Sequence, residues 1–219
     1  MPTLEMARTV DDLSQSNFGI ETQKDYKAYT NFAFLLTESG LISQLICNKL
    51  SFIQIKNEIV ENDILQVRSQ SSRKGVFRSL RELLENIPQQ YIEFLAHGNS
   101  DLRRYTLLFL SLRLNRLLRD VISELLLDRL QSLNPTLDHK IFKAFYEQKR
   151  EQEPVLSRWS NSTYQKACSN TILILIRSGI LIPSKNKKTY EIQAMLLPFG
   201  LKQQLLLDGL ESYVKLMLN

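Results

Sequence analysis

A leucine-rich stretch from residue 100 to about residue 133, which we call the spine, limits most strongly what this chain can fold into. Thirteen of its residues are leucine, and residues 105–112 are apolar on every side of a helix. A helix that lacks a polar face is stable only when other elements enclose it. At ~1.5 Å per residue an unbroken helix of this length would span ~50 Å, so we expect a kink or a division within it.

Three arginines, Arg113, Arg116 and Arg119, give the later part of the spine a polar stripe. Opposite charges three or four residues apart on a helix can pair, and Asp120 and Glu124 follow closely in the sequence. We expect this stripe to face solvent.

The basic residues of the chain are concentrated in two stretches. The 219 residues include 28 Lys and Arg against 23 Asp and Glu, for a net charge of +5. Residues 66–81 and 154–190 together hold 11 of the basic residues and no acidic one, so the rest of the chain is net acidic. Such local basicity is typical of a protein that meets a phosphate backbone.

Residues 154–190 predict a helix followed by a β-hairpin. Ser162 and Gln165 have the spacing of a capping box, which starts a helix, and Gly179 can end that helix. Two short apolar runs around a lysine-rich turn then predict strands near residues 180–192. This order is typical of the second half of a winged helix-turn-helix unit, whose exposed helix lies in the DNA major groove. The alternative is a solvated helix followed by a loop.

The helical spacing divides this predicted helix into a buried and an exposed side. The buried side should contain Tyr164, Ala167, Cys168, Thr171, Ile172 and Leu175, and the exposed stripe Thr163, Lys166, Asn170 and Arg177. From this region we predict DNA contacts by Arg158, Ser162, Thr163, Gln165, Lys166, Asn170, Lys185, Lys187 and Lys188.

Residues 66–88 predict a second helix-turn-helix-like unit. Ser71 or Ser72 can cap a helix that ends before Pro88, and a capping box opens a shorter helix before it, near residues 51–61. The alternative is an ordinary solvated flank, because two glutamates follow near enough to pair with its cations. The predicted DNA-contacting residues are Arg68, Ser71, Ser72, Arg73, Lys74, Arg78 and Arg81.

The remaining segments are predicted to be helical. Helices should cover residues 26–37 and 40–50, with a break between them at Glu38-Ser39-Gly40, and another should start at Asn134-Pro135, where the missing proline amide does no harm. Two leucine-rich helices over residues 194–218 should close the core.

The fold class that follows is all-α: a compact multi-helix globule with two helix-turn-helix-like units, the second with a small β-hairpin wing. Only seven glycines and six prolines interrupt the chain, which favours helices over a turn-rich β fold. We divide it into a polar tail at 1–25, an N-terminal helical subdomain at 26–99, the spine region at 100–153 and a C-terminal region at 154–219.

The sequence lacks the motifs of common enzymes. It has no glycine-rich phosphate loop, dinucleotide-binding fingerprint or His-Glu-x-x-His zinc motif. Cys47 and Cys168 stand alone in apolar contexts, which favours core residues over metal ligands. We therefore expect no catalytic activity, cofactor or metal. Arg177 interrupts the longest apolar run, and the first residues of the sequence lack the pattern of a signal peptide, so we expect a cytoplasmic protein without a membrane span.

Four segments, in this order and spacing, carry a resemblance to a known family. They are NFAFLLTESGLISQLI, ENDILQVRSQSSRKGVFRSLRELLENIP, FKAFYEQKREQEP after the leucine-rich spine, and STYQKACSNTILILIRSGILIP. Together they span residues 31–183, and they resemble the BrxA family, small all-helical components of bacteriophage exclusion (BREX) defence systems.

The resemblance implies a non-enzymatic, double-stranded DNA-binding protein with two helix-turn-helix units. It would act with the methyltransferase and other large BREX subunits in marking host DNA and restricting phage. Carried onto this sequence, Arg68, Arg73, Lys74 and Arg78 would belong to the first unit and Thr163, Lys166 and Asn170 to the second.

Two alternatives to DNA binding remain open. The leucine-rich helices and basic faces could make the chain an adaptor that docks on acidic partner subunits. The BrxA family has also been likened to the NusB antitermination fold, which would indicate RNA as the ligand.

Overall fold

The computed structural model describes residues 24–31, 33–186 and 188–217, and most of these lie in helices. The helices are α1 Leu36–Cys47, α2 Phe52–Val60, α3 Gln70–Leu84, α4 Gln89–His97, α5 Ser100–Leu114, α6 Arg116–Asp120, α7 Leu127–Gln131, α8 His139–Gln152, α9 Pro154–Ser157, α10 Asn161–Arg177, α11 Phe199–Leu207 and α12 Glu211–Leu216. A π-helix, Val121–Leu126, joins α6 to α7, and the strands are β1 Thr136–Asp138, β2 Leu181–Pro183 and β3 Thr189–Ile192. The predicted helical fold with a small hairpin is confirmed, and a third strand, β1, joins the hairpin. The predicted tail falls outside the described residues as far as residue 23.

The spine is enclosed and divided, as its sequence predicts. Residues 107–110 of α5 are at most 1% exposed. The division falls at Asn115, whose side-chain oxygen accepts a hydrogen bond of 3.1 Å from the Leu118 amide and so starts α6. The π-helix then continues the same path before α7.

The prediction of a solvated arginine stripe on the spine is wrong. Arg113 and Arg119 are only 5% and 3% exposed. Arg113 donates to the carbonyls of Glu82 and Leu83, at the end of α3, at 3.3 and 3.2 Å, and Arg119 donates to the carbonyls of Leu112 and Arg113 near the end of α5. The last carbonyls of a helix have no partner within that helix, and a guanidinium with five donors can serve several of them.

The start of the chain differs from its predicted helices. Among the described residues before α1, none is helical, although residues 26–37 have helical spacing. Helix α1 then continues through Gly40, where a break was expected. A Cβ at Gly40 would lie 3.4 Å from the Leu95 carbonyl oxygen, so this glycine permits close packing of α1 on α4. The capping box of Ser51 and Gln54 at the start of α2 is confirmed.

The sheet has the order β1-β3-β2, with both neighbours antiparallel to β3. The predicted hairpin is therefore confirmed, and Ile182 pairs with Glu191 within it. The helix expected to start at Asn134-Pro135 is wrong, because the next residues form β1, in which Leu137 pairs with Tyr190. Helix α8 begins only at residue 139, where the Asp138 carboxylate accepts from the Ile141 amide at 2.9 Å.

Two short helices close the core at the end of the described chain. Leu201 and Leu205 of α11 and Tyr213 of α12 are completely buried. The Tyr91 hydroxyl of α4 donates to Asp208, between these helices, at 2.5 Å. The expected closing role is confirmed, although the first helix starts at Phe199 rather than residue 194. No helix in the described ranges is long and apolar enough to cross a membrane.

Candidate nucleic-acid interface

Helix α10 begins two residues earlier than its predicted capping box requires. The Ser160 hydroxyl, not that of Ser162, accepts from the amide three residues on, that of Thr163, at 3.2 Å. The predicted box of Ser162 and Gln165 is therefore wrong. Both serines have side chains suited to capping, but with Ser160 in that role Ser162 and Gln165 are left exposed on the helix.

The exposed face of α10 includes Ser162, Gln165, Lys166 and Ser169. The first three of these were predicted to contact DNA, and the structure places them side by side over the first two turns. Ser169 was not among the predicted contact residues. Its spacing from Ser162 and Lys166 was the signal that could have found it.

Thr163 and Asn170 lie on the flank of α10 and are already bonded within the protein. Thr163 accepts from the Ser160 hydroxyl at 2.9 Å. The Asn170 amide nitrogen donates to the Tyr29 carbonyl at 2.9 Å, and its side chain is half-buried. Of the predicted exposed stripe, Lys166 and Arg177 are exposed, whereas Thr163 and Asn170 are half-buried. For Asn170 the cause is a partner 141 residues away in sequence, which helical spacing alone does not reveal.

A basic hairpin follows the C-terminal end of α10. Lys185 and Lys188 are exposed at its tip. The turn is held by Asn186, whose side-chain oxygen accepts from the Ser184 hydroxyl at 2.7 Å and from the Lys188 amide at 3.0 Å. Lys187, also predicted to contact DNA, lies outside the described residues. Arg158 is exposed at the end of α9, before α10 begins.

Helix α3 presents the other basic face. Its cap is Ser69, whose hydroxyl accepts from the Ser72 amide at 3.2 Å, rather than Ser71 or Ser72 as predicted. Ser71, Lys74 and Arg78 are exposed on the helix. Arg68 is exposed in the preceding loop, Ser72 is half-buried, and Arg81 is exposed but bonded to Glu85 at 2.7 Å.

Arg73, another predicted DNA-contacting residue, is bonded within the protein. Its guanidinium donates to the carbonyls of Val60 and Val67, both at 3.0 Å. It also forms an ion pair of 3.1 Å with Asp63. These bonds fasten the start of α3 to the loop that follows α2. The structure therefore brings Lys74 and Arg78 to one surface and turns Arg73 away from it.

With both surfaces described, the chain can be compared with known proteins. The family model for BrxA matches residues 25–206. The chain belongs to the BrxA family. Proteins named BREX protein BrxA are similar to it in Paramagnetospirillum magneticum (strain ATCC 700264 / AMB-1), at 24% identity over 82% of this chain and 88% of that protein, and in Escherichia coli O9:H4 (strain HS), at 25% identity over 90% and 97%. The Bacillus cereus (strain H3081.97) protein of the same name is 22% identical over 72% and 78%.

A solved structure has the same fold as this BrxA-family chain. It is the crystal structure of an uncharacterized protein from Magnetospirillum magneticum, with a TM-score of 0.73 and 21% sequence identity. The match covers 88% of this chain and 97% of that chain. The architecture described above is therefore shared over nearly its whole length.

The cysteine and histidine side chains of this BrxA-family chain are the first groups to consider for chemistry. Burial raises the pKa of the Cys168 thiol to about 12, so this cysteine is a protonated core residue rather than a nucleophile. The Nε2 atom of His139 is within hydrogen-bonding distance of the Tyr190 hydroxyl, at 3.2 Å. Within the described residues, no three His, Cys, Asp or Glu side chains are grouped so that they could hold a metal ion.

Proposed function

We propose that this BrxA-family chain is a non-enzymatic double-stranded DNA-binding component of a BREX phage-defence system. The observation that carries the proposal is the exposed face of α10, where Ser162, Gln165, Lys166 and Ser169 stand together on a helix that a lysine-bearing hairpin follows. This face has hydrogen-bonding groups, a positive charge and no acid, which suits a surface that reads a polyanion.

The order of elements around α10 supports a winged helix-turn-helix unit. The chain runs from strand β1 through the helices α8 and α10, which α9 joins, to the hairpin of β2 and β3. In the sheet, β3 lies between β1 and β2. In helix-turn-helix proteins the second helix enters the major groove and the first crosses the backbone. By this analogy α10 is the recognition helix and the hairpin tip contacts phosphates through Lys185 and Lys188.

Specific chemistry can be assigned to the side chains on α10. Glutamine can pair bidentately with adenine, lysine can bind guanine or phosphate, and serine can bond to several base edges. Gln165 thus replaces Asn170 as the candidate adenine reader, since the Asn170 side chain is bonded to the Tyr29 carbonyl.

The exposed face of α3 supplies a second set of phosphate contacts in this proposal. Lys74 and Arg78 are exposed one turn apart, with Ser71 near the helix start and Arg68 in the loop before it. Lysine and arginine bound to phosphates position a protein on a duplex without reading its sequence. We assign α3 this positioning role and α10 the modest sequence preference.

The BREX assignment is supported by three similar proteins whose printed name is BREX protein BrxA. In such a system the chain would act with the methyltransferase and other large subunits, so that host DNA is methylated and phage DNA restricted. Its own contribution would be binding, without nuclease, methyltransferase or ATPase activity.

An adaptor that docks on partner subunits is the second candidate, favoured by exposed apolar side chains near α11. Leu196, Phe199 and Leu207 are 86%, 74% and 74% exposed. Large apolar side chains grouped on a surface often mark a protein contact. Both functions could reside in one chain, because these residues belong to neither basic surface.

A salt titration tests the proposal. Purified protein is titrated with a DNA duplex, a single-stranded RNA and an unrelated polyanion at several salt concentrations. Duplex binding should be the tightest, and its log affinity should fall with log salt by about 0.9 per phosphate neutralised. Tighter binding to RNA would favour the RNA alternative, and failure to bind any nucleic acid at low salt would leave the adaptor.

A further inference from the structure

An irregular segment, residues 24–31 and 33–35, passes between the two basic surfaces; we call it the strap. No described residue of the strap is in a helix or strand. Two of its aromatic side chains are nevertheless buried in the core, since Tyr26 and Phe34 are only 7% and 6% exposed. The strap is therefore an ordered part of the fold, held by its side chains rather than by a backbone ladder.

Tyr29 and Lys27 bond the strap to both candidate DNA-binding helices. On the α3 side, the Tyr29 hydroxyl donates to the Glu82 carboxylate at 3.1 Å, and the Lys27 ammonium forms an ion pair with the same carboxylate. On the α10 side, the Tyr29 carbonyl accepts from the Asn170 amide nitrogen at 2.9 Å. One residue of the strap thus links the two helices directly.

The spine holds the other end of the strap. The Tyr26 hydroxyl donates to Asp120 at 2.5 Å. Arg116 donates to the Lys24 carbonyl at 3.1 Å, and its guanidinium lies 4.2 Å from the centre of the Tyr26 ring. Burial, and then the neighbouring carboxylates, raise the pKa values of Tyr26 and Tyr29, so both hydroxyls stay protonated and can donate at neutral pH.

Helices α3 and α10 are not packed against each other as a helix pair. Helix α3 packs mainly on α1, α2 and α5, whereas α10 packs on α6 and β2. Between them lies a cavity of about 70 Å³, lined by Ser79 and Leu83 of α3, Ser111 of α5, Ile174 of α10 and the strap. The two helices are therefore joined indirectly, through the spine on which both pack, and directly only by what crosses this gap.

We propose that the strap positions the α3 and α10 surfaces for simultaneous contact with one DNA duplex, with Glu82 and Tyr29 as its positioning residues. The inference rests on the proposed DNA-binding function. Two weak sites that are held at the right separation bind one ligand much more tightly than either does alone, because the second contact becomes intramolecular. Free motion between the sites reduces this gain, since ordering them on the duplex then costs conformational entropy.

The experiment compares a long duplex, which can reach both surfaces, with a short one, which can reach only one. Duplexes of about 24 and about 8 base pairs span roughly 80 and roughly 27 Å at ~3.4 Å per base pair. Glu82→Ala should weaken binding to the long duplex by about tenfold or more, by reducing the effective concentration of the second site. Its affinity for the short duplex should be no lower than that of the parent.

Two controls separate positioning from charge. Glu82→Gln loses the same charge as Glu82→Ala but keeps an acceptor for the Tyr29 hydroxyl, so it should retain most of the long-duplex affinity. Glu85→Ala also removes one acid from the end of α3, next to Arg81 rather than the strap, and should strengthen binding to both duplexes. Loss of an acid favours DNA binding electrostatically. Weaker DNA binding by Glu82→Ala would therefore be opposite in direction to the effect of the lost charge.

A milder variant and a folding check complete the design. Tyr29→Phe removes only the hydroxyl bond to Glu82, so it should weaken long-duplex binding in the same direction but less. Circular dichroism and melting temperature establish that each variant is folded. If the parent binds duplex DNA and folded Glu82→Ala behaves like Glu85→Ala on both lengths, the positioning role is wrong while the DNA-binding proposal stands. If the parent binds no duplex at low salt, the DNA-binding proposal itself fails.

Discussion

Individual basic side chains in this fold divide into those that the protein uses internally and those left for a partner. Arg73 and Lys74 are neighbours in sequence, yet Arg73 holds two backbone carbonyls and Asp63, whereas Lys74 is exposed. Arg113 likewise serves the end of α3. Counting charge along the sequence treats all of these as equivalent, although their contributions to stability and to binding should differ sharply.

Replacing the two neighbours by alanine tests this division. Arg73→Ala leaves the carbonyls of Val60 and Val67 and the Asp63 carboxylate without their partner, so the free energy of unfolding should fall by about 2–3 kcal/mol. Lys74→Ala removes an exposed side chain and should change it by less than about 0.5 kcal/mol. Urea denaturation measures both. Equal stability of the two variants would contradict the internal role of Arg73.

For individual side chains, the sequence predicted a good part of the exposed residues in the candidate site. Ser162, Gln165, Lys166, Lys74 and Arg78 were identified from helical spacing and charge, and all five are exposed. Whether they contact DNA stays a prediction. Side chains whose partners come from distant segments could not be placed in this way: Asn170 bonds to the strap 141 residues away, and Arg113 to carbonyls about 30 residues away.

Helix starts and short strands are the elements whose positions local patterns specify least well. Three serines could each cap a helix near residues 69–72, and two near 160–162. In both places the earliest serine is the cap, because the last residue with extended backbone before the helix is the one whose side chain can reach the free amides. Spacing found the helices and missed their first residues by two or three positions.

Alanine substitution at the two serines before and within α10 tests the cap. Ser160→Ala removes the acceptor for the Thr163 amide and should lower the free energy of unfolding by about 1 kcal/mol. Ser162→Ala should leave stability within about 0.5 kcal/mol, because its side chain is exposed within the helix. Thermal or urea unfolding of the pair provides the measurement. A larger effect at Ser162 would show that the sequence-based cap was correct.

The other incorrect elements have a common physical cause. Residues 26–31 have helical spacing, but their side chains are used to bridge α3, α10 and the spine, and no helical backbone is present there. Thr136–Asp138 forms a strand because β3 offers it a hydrogen-bonding partner 51 to 55 residues later. Tertiary contacts thus outweigh weak local preference in short segments, whereas long, strongly apolar segments such as α5 were predicted correctly.

The whole molecule places two basic surfaces on one enclosed spine, and charge reversal tests how they share the binding. Lys74→Glu with Arg78→Glu, or Lys166→Glu with Lys188→Glu, should each weaken duplex binding by about tenfold or more and lower the salt slope by roughly one unit per lost contact. We expect the second pair to have the larger effect, because α10 is the proposed recognition helix and the hairpin is its proposed wing.

Lys49→Glu with Lys215→Glu is the matched control, with the same change in charge. Both lysines are exposed and lie outside the two basic surfaces, so their reversal should act only through weak long-range repulsion, which salt screens. Fluorescence anisotropy with one duplex at several salt concentrations compares all three variants. If the control variant loses as much affinity as the other two, binding depends on net charge rather than on these surfaces.

The small sheet also determines how this end of the molecule can meet other chains. Its central strand, β3, is paired on both sides, and each edge strand is only three residues long. One of these edges ends in Pro183, which has no amide hydrogen to donate to an incoming strand. Short edges that end in proline discourage strand addition and the aggregation that begins with it. Association at this end of the protein must therefore depend on side chains, with little opportunity for a neighbouring chain to extend the sheet.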